Sequence, residues 1–179
     1  MSIGLDGRRA IVGAVVGLVY GYILASLSFL ALGAGHGTSV PFFMSSAPLG
    51  VLGFFGEFGF YAVLAGGAPA VWATFGALVV PCGRAKWRRL IQVLALLHSA
   101  SGLTLIAATA QDYTWGHLER ALRQAPEVII TWAALYLIGQ GVLWWRTRQP
   151  TATDRLISLR VRWIVAGVCR QNVGPWCVD

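Results

Sequence analysis

Apolar residues in this chain gather into long uninterrupted blocks, with none of the strict polar and apolar alternation that marks a half-buried strand. Ala10 to Leu32 contains no charged residue, and neither do Leu90 to Ala110 and Val128 to Trp145. A helix rises about 1.5 Å per residue, so about 20 residues cover the roughly 30 Å of a hydrocarbon core. Three crossings are therefore predicted directly, over residues 10–32, 90–110 and 128–145. The first block, preceded by Arg8 and Arg9, also has the outline of a signal peptide. It is longer than the apolar core of about 7–15 residues that such peptides carry, so a retained helix is expected. Pro126 and Glu127 mark the start of the last block, since proline suits a first helical position and an acid favours the positive end of the helix dipole.

Pro41 to Pro81 is harder to divide, because Glu57 is its only charge. The distribution of basic residues decides the number of crossings. Arg8 and Arg9 precede the first block; Arg84, Lys86, Arg88 and Arg89 precede the third; Arg146, Arg148, Arg155, Arg160, Arg162 and Arg170 follow the last. Placing all three clusters on the cytoplasmic side, where Lys and Arg concentrate, requires an odd number of crossings between Gly35 and Gly83. One crossing over 61–80 is expected, preceded by a segment from Phe42 to Phe60 that enters the bilayer partway or lies in its outer leaflet. The rival division is two crossings, 47–65 and 68–80. It would put the amino terminus outside and leave Arg8 and Arg9 against the charge rule.

The predicted fold class is thus all-α, a polytopic membrane protein with four transmembrane helices and a glycine-rich re-entrant or interfacial segment before the second. Residues 1–149 form the transmembrane domain and 150–179 a basic cytoplasmic tail. Both termini are expected in the cytoplasm, the setting of a bacterial inner membrane. Between the last two spans Trp115, Leu118 and Leu122 fall on one helical face, with Glu119 and Arg123 paired at i, i+4, which predicts a short amphipathic helix on the outer surface.

Small residues recur with two periods. Gly13, Gly17, Gly21 and Ala25 lie four apart on the first span, so one face carries almost no side chain and another backbone can approach it closely. That face serves either internal packing or docking of another protein. In the middle region Ala47, Gly50, Gly53, Gly56, Gly59, Ala62, Ala65 and Ala68 recur every third residue beside Phe54, Phe55, Phe58 and Phe60. Such a ridge permits close packing against a partner, a pigment or a lipid.

Composition agrees with this class and narrows the chemistry. Of 179 residues 56% are apolar and 12% charged, against about 25% charged in a soluble domain. The formal charge of +7 is distributed as the sides of a membrane require, and no basic surface interleaved with exposed aromatics points to nucleic acid. Cys82, Cys169 and Cys177 all fall on the expected cytoplasmic side, where thiols stay reduced, and their spacing is not that of a zinc site.

Few side chains are chemically suggestive. Glu57, if at membrane depth, is a candidate for a proton, a cation or a cationic partner; at the headgroup boundary it is simply solvated. His98 lies within the third span, and Trp132, Tyr136 and Gln140 share a face of the fourth. Counted inward from Arg89 and Arg146, His98 and Tyr136 reach the same depth, about 14–15 Å, so a His98, Tyr136 and Gln140 cluster is predicted, as a structural clip or a small polar pocket. His36, in Gly33-Ala34-Gly35-His36-Gly37-Thr38, is a turn residue and a possible ligand to metal, haem or chlorophyll, but no second histidine or cysteine stands near it in sequence.

No nucleophile elbow, His-Glu-x-x-His or phosphate loop is present, and no cofactor is assigned. The expected function is that of a non-catalytic membrane subunit, accessory, assembly or oligomer-forming, docking through its small-residue faces to other membrane proteins or to itself within the lipid bilayer. The alternative is a small transporter or channel for protons or cations that uses Glu57, His98 and Gln140.

Overall fold

The computed structural model describes residues 5–33, 38–80, 85–109 and 114–148, and the structural statements that follow concern those residues. They form six α-helices and a 3₁₀ turn, with no strand among them. The elements are α1 (Leu5–Gly33), α2 (Val40–Ser46), the 3₁₀ turn (Leu49–Phe54), α3 (Glu57–Val79), α4 (Ala85–Thr109), α5 (Thr114–Gln124) and α6 (Pro126–Arg148). Four helices are long and apolar enough to cross a membrane: Gly7–Gly33, Glu57–Val79, Trp87–Ala108 and Pro126–Arg148.

The closest packing is between α1 and α3. A β-carbon on Gly13 would overlap the Gly76 carbonyl, one on Gly17 the Trp72 carbonyl, and one on Gly21 would lie 2.5 Å from the Pro69 Cα. Ascending α1 therefore meets descending α3, so the pair is antiparallel with its backbones in direct contact. The glycine face of α1 is filled by this chain's own α3. Pro69 lies inside α3, at the level of Gly21 on α1.

The middle region follows the single-crossing division, with two differences in detail. The crossing helix begins at Glu57, four residues before the expected Tyr61, because Gly56 stands at its amino end with φ 96° and ψ 177°. That backbone is open almost only to glycine, so the chain turns there and not later. The three-residue repeat is not one helical ridge. Ala47 follows α2, Gly50 and Gly53 lie in the 3₁₀ turn, Gly56 forms the cap and Gly59 enters α3. A 3₁₀ helix has 3.0 residues per turn, so the repeat matches the local geometry over Gly50 and Gly53 only.

Helix α2 is short but central. Pro41 lies in its first turn, and Pro41, Phe42, Phe43, Ser45 and Ser46 are buried where α2 touches α1, α3, α4 and α6. Phe42, Phe43, Ala47, Val63, Leu105 and Ile106 make one core; Leu24, Trp72, Phe75, Ile91, Tyr136 and Leu143 belong to a larger one beside it. Helix α5 rests on Ala31 and Ile129 through Leu118 and Ala121. Leu122, on the same apolar stripe as Leu118, is 42% exposed, and the Trp115 side chain lies outside the described residues.

Gly13, Val80 and Leu143 line one cleft, which joins the beginning of α1 to the ends of α3 and α6. Arg8, Arg9, Arg88, Arg89, Arg146 and Arg148 accordingly share one end of the bundle, and Glu119, Arg120, Arg123 and Glu127 the other. Large apolar side chains on α1, among them Ile11, Val12, Val15, Val16 and Val19, face outward and are more than half exposed. Pro81, Cys82, Arg84, Cys169, Cys177 and the basic tail 150–179 lie outside the described residues.

Candidate functional site

Near the middle of α4, His98 is 2% exposed. Its Nδ1 donates to the carbonyl oxygen of Ala47 at 2.6 Å, just beyond the last turn of α2. A carbonyl oxygen only accepts, so the hydrogen sits on Nδ1 and the tautomer is set by a backbone group 51 residues away in sequence. Three aromatic rings close around the imidazole. Trp72 and Phe75 stand edge-on at 5.8 Å and 5.6 Å, and Tyr136 lies tilted at 5.9 Å.

Helix α6 supplies the opposite wall. Trp132 stacks on Tyr136 at 5.3 Å, and its indole nitrogen donates to Ser45 Oγ at 2.8 Å. Gln140, one turn further on, donates through Nε2 to the Tyr136 hydroxyl at 3.2 Å. From α1, Tyr20 packs edge-on against Trp72 and its hydroxyl donates to the carbonyl of Leu135. Gly139 makes room for the indole of Trp72, whose Cη2 would lie 2.6 Å from a β-carbon there. The α2 segment is thus pinned twice, by His98 from α4 and by Trp132 from α6.

Other hydroxyls in the helices bond back to their own turn. Ser28, Ser46, Thr74, Ser101 and Thr104 all donate to carbonyls four residues earlier. Ser101 shares a face with His98 but does not bond its ring; it serves the Leu97 and His98 carbonyls. Around this centre, among the described residues, the buried atoms Trp72 Nε1, His98 Nε2 and Gln140 Oε1 have no hydrogen-bond partner within the chain. Beside His98 a cleft of about 270 Å³ opens between α3 and α4, walled by Ala47, Pro48, Thr74, Phe75 and Leu97.

The residues singled out in the sequence go to different places. His98, Tyr136 and Gln140 share the centre. Glu57 is exposed, as the first residue of α3. Fifteen residues separate it from Trp72, which at about 1.5 Å each puts it about 22 Å along the helix from the polar centre. Gly50 packs against Leu105, Ser46 and Phe43, Gly53 near Phe60 and Phe42, and Gly59 against the Leu52 carbonyl, so these glycines serve contacts within the chain. His36 lies outside the described residues. Among the described residues no three His, Cys, Asp or Glu side chains stand together in a metal-holding group.

Sequence reasoning did not reach Trp72, Tyr20, Ser45 or the Ala47 carbonyl. Trp72 and Phe75 are three apart on α3, and that spacing was the available signal; a backbone carbonyl offers none. The class these features define is an all-helical protein with four helices able to cross a membrane, arranged around a wedged, aromatic-lined polar centre. No family model, curated protein or solved structure matches the chain.

Proposed function

We propose that this chain is a multi-pass membrane protein of non-catalytic, accessory or assembly type. The four helices span the bilayer, and the end bearing Arg8, Arg9, Arg88, Arg89, Arg146 and Arg148 faces the cytoplasm, as in a bacterial inner membrane, with α2 and the 3₁₀ turn forming a re-entrant wedge from the opposite side. What carries the reading is how the buried polar side chains are used. His98, Trp132 and Tyr20 each spend a hydrogen bond on holding one segment to another, the work of a clip that rigidifies a scaffold.

The docking surface differs from the one the sequence suggested. Since α3 fills the small-residue face of α1, partners or second copies meet the opposite side of α1, where Ile11, Val12, Val15, Val16 and Val19 project. The transport alternative rests on the unpartnered atoms at the centre, but Glu57 lies about 22 Å away along α3.

Gentle extraction into lipid nanodiscs, followed by mass measurement of the intact particle and ion-flux assays on reconstituted vesicles, tests the proposal. A reproducible heteromeric or homomeric complex without flux is expected. Flux from the isolated protein that is lost in His98→Leu or Gln140→Leu would overturn it.

A further inference from the structure

Between α1, α3 and α6 lies a cleft of about 290 Å³ that runs from Tyr20 and Gly139 to Gly13, Val80 and Leu143, at the basic end of the bundle. Tyr20 follows Gly13 by seven residues, so the cleft extends along about two helical turns, or about 10 Å. Val16, Ile138 and Val142 line it and are exposed, so it opens on the outer surface of the bundle. Its walls are apolar side chains and glycine backbone, and the Tyr20 hydroxyl is already given to the Leu135 carbonyl. Such a surface matches hydrocarbon. A further helix, about 10–12 Å across with its side chains, fills on the order of 800 Å³ over two turns, so the cleft admits a slimmer chain.

Helical register brings two arginines to the mouth of this cleft. Arg9 precedes Gly13 by four residues, and Arg146 follows Val142 by four and Leu143 by three. Each therefore continues the lining stripe of its own helix by one turn, about 5.4 Å, toward the basic end. Arg9 is exposed; Arg146 is half-buried, with its guanidinium 5.9 Å from the centre of the Trp145 ring. Trp144 and Trp145 are themselves exposed, and indoles so placed mark the level of the lipid headgroups. Arg8 and Arg148 add charge of the same sign beside the pair. Of the acids on these three helices, Glu57 and Glu127 stand at the far end and only Asp6 shares the basic one. An apolar slot thus ends in positive charge at the depth where a bilayer presents phosphate.

We propose that this cleft is a binding site for an anionic phospholipid, with one acyl chain between α1, α3 and α6 and the headgroup phosphate held by Arg9 and Arg146. Guanidinium groups keep their charge and meet phosphate oxygens with paired N–H donors, and basic pockets between membrane helices on the cytoplasmic side suit such headgroups. A soluble anion gains nothing from the cleft, and a lipid without net charge gains little from the arginines. The site rests on the bilayer placement proposed above, and it stands whether the chain is a scaffold or a transporter.

The test places the full-length chain in nanodiscs of equal parts dioleoyl phosphatidylglycerol and dioleoyl phosphatidylcholine, and mass spectrometry of the intact protein counts the lipids that stay bound when the disc is stripped away. Retained lipid should be enriched in phosphatidylglycerol. Arg9→Gln with Arg146→Gln should lower that preference by about five-fold per arginine, whereas Arg120→Gln with Arg123→Gln, at the other end, should leave it unchanged. Val142→Trp keeps both arginines and fills the cleft from its exposed rim, so it should displace the lipid; circular dichroism checks that each variant keeps its helices. Equal retention of the two lipids, a preference that survives the double Arg9 and Arg146 variant, or unaltered retention in Val142→Trp would overturn the proposal. Flotation with vesicles of the same mixture separates it from the bilayer placement. A chain that floats but shows no preference overturns the lipid site alone, and one that does not float overturns both.

Discussion

Two seams hold this bundle together by opposite means. Between α1 and α3 the contact is made by what is missing: Gly13, Gly17, Gly21 and Gly76 let the two backbones touch. Between α4 and α6 the space is filled, by the α2 wedge and by His98, Tyr136 and Trp132 with their hydrogen bonds to Ala47 and Ser45. The first seam tolerates no added volume because its neighbours are backbone and cannot rotate away. In the second, the neighbours are side chains and the specificity lies in donors and acceptors, so polarity matters more than volume.

The contrast fixes the expected order of mutational effects. Gly17→Leu should be the most damaging, since its β-carbon alone overlaps the Trp72 carbonyl; a loss of about 3 kcal/mol or more is expected, read as collapse of the folded fraction in denaturant titration or as failed expression. His98→Leu comes next. It strips the Ala47 carbonyl of its partner while keeping side-chain bulk, and about 1–3 kcal/mol should be lost, with proteolysis detecting release of the α2 segment before the rest of the fold opens. Trp132→Phe keeps the stack on Tyr136 and removes the donor to Ser45, so about 1 kcal/mol is expected from thermal unfolding in detergent. The smallest change should come from Gly66→Ala. No atom lies within 4 Å of a β-carbon there, and exchanging glycine for alanine within a helix should raise stability by up to about 1 kcal/mol. Equal cost at Gly17 and Gly66 would remove the distinction between the seams.

Much of this arrangement is legible along the chain, and the parts that are not share a cause. The long blocks predict α1, α4 and α6 to within a few residues at each end because a membrane-length apolar run leaves little freedom. The equal depth of His98 and Tyr136 follows from counting residues inward, and their rings lie 5.9 Å apart. Hydropathy alone puts the start of α3 at Tyr61, whereas Gly56 beside Glu57 is the better signal, a flexible residue followed by an acid at the positive end of a helix dipole. Helix α5 forms over the amphipathic stretch read from Trp115 to Arg123, but its contact with Ala31 and Ile129 also runs through Ala121, which is too small to weigh in a hydrophobic pattern. Trp72 and Ser45 joined the centre through contacts between distant segments, and the Ala47 carbonyl is a backbone atom that no residue pattern marks.

The central structural claim is that the small-residue face of α1 is occupied by α3 of the same chain, and cross-linking in native membranes tests it most directly. Ala25 and Ala65 line the same groove between these helices. With Cys82, Cys169 and Cys177 replaced by serine, the double variant Ala25→Cys and Ala65→Cys should form an intramolecular disulfide on mild oxidation, seen as a faster-migrating monomer that reverts on reduction. A product linked only between two chains, or no link at all, would contradict the account and return the α1 glycine face to the role of an external docking surface.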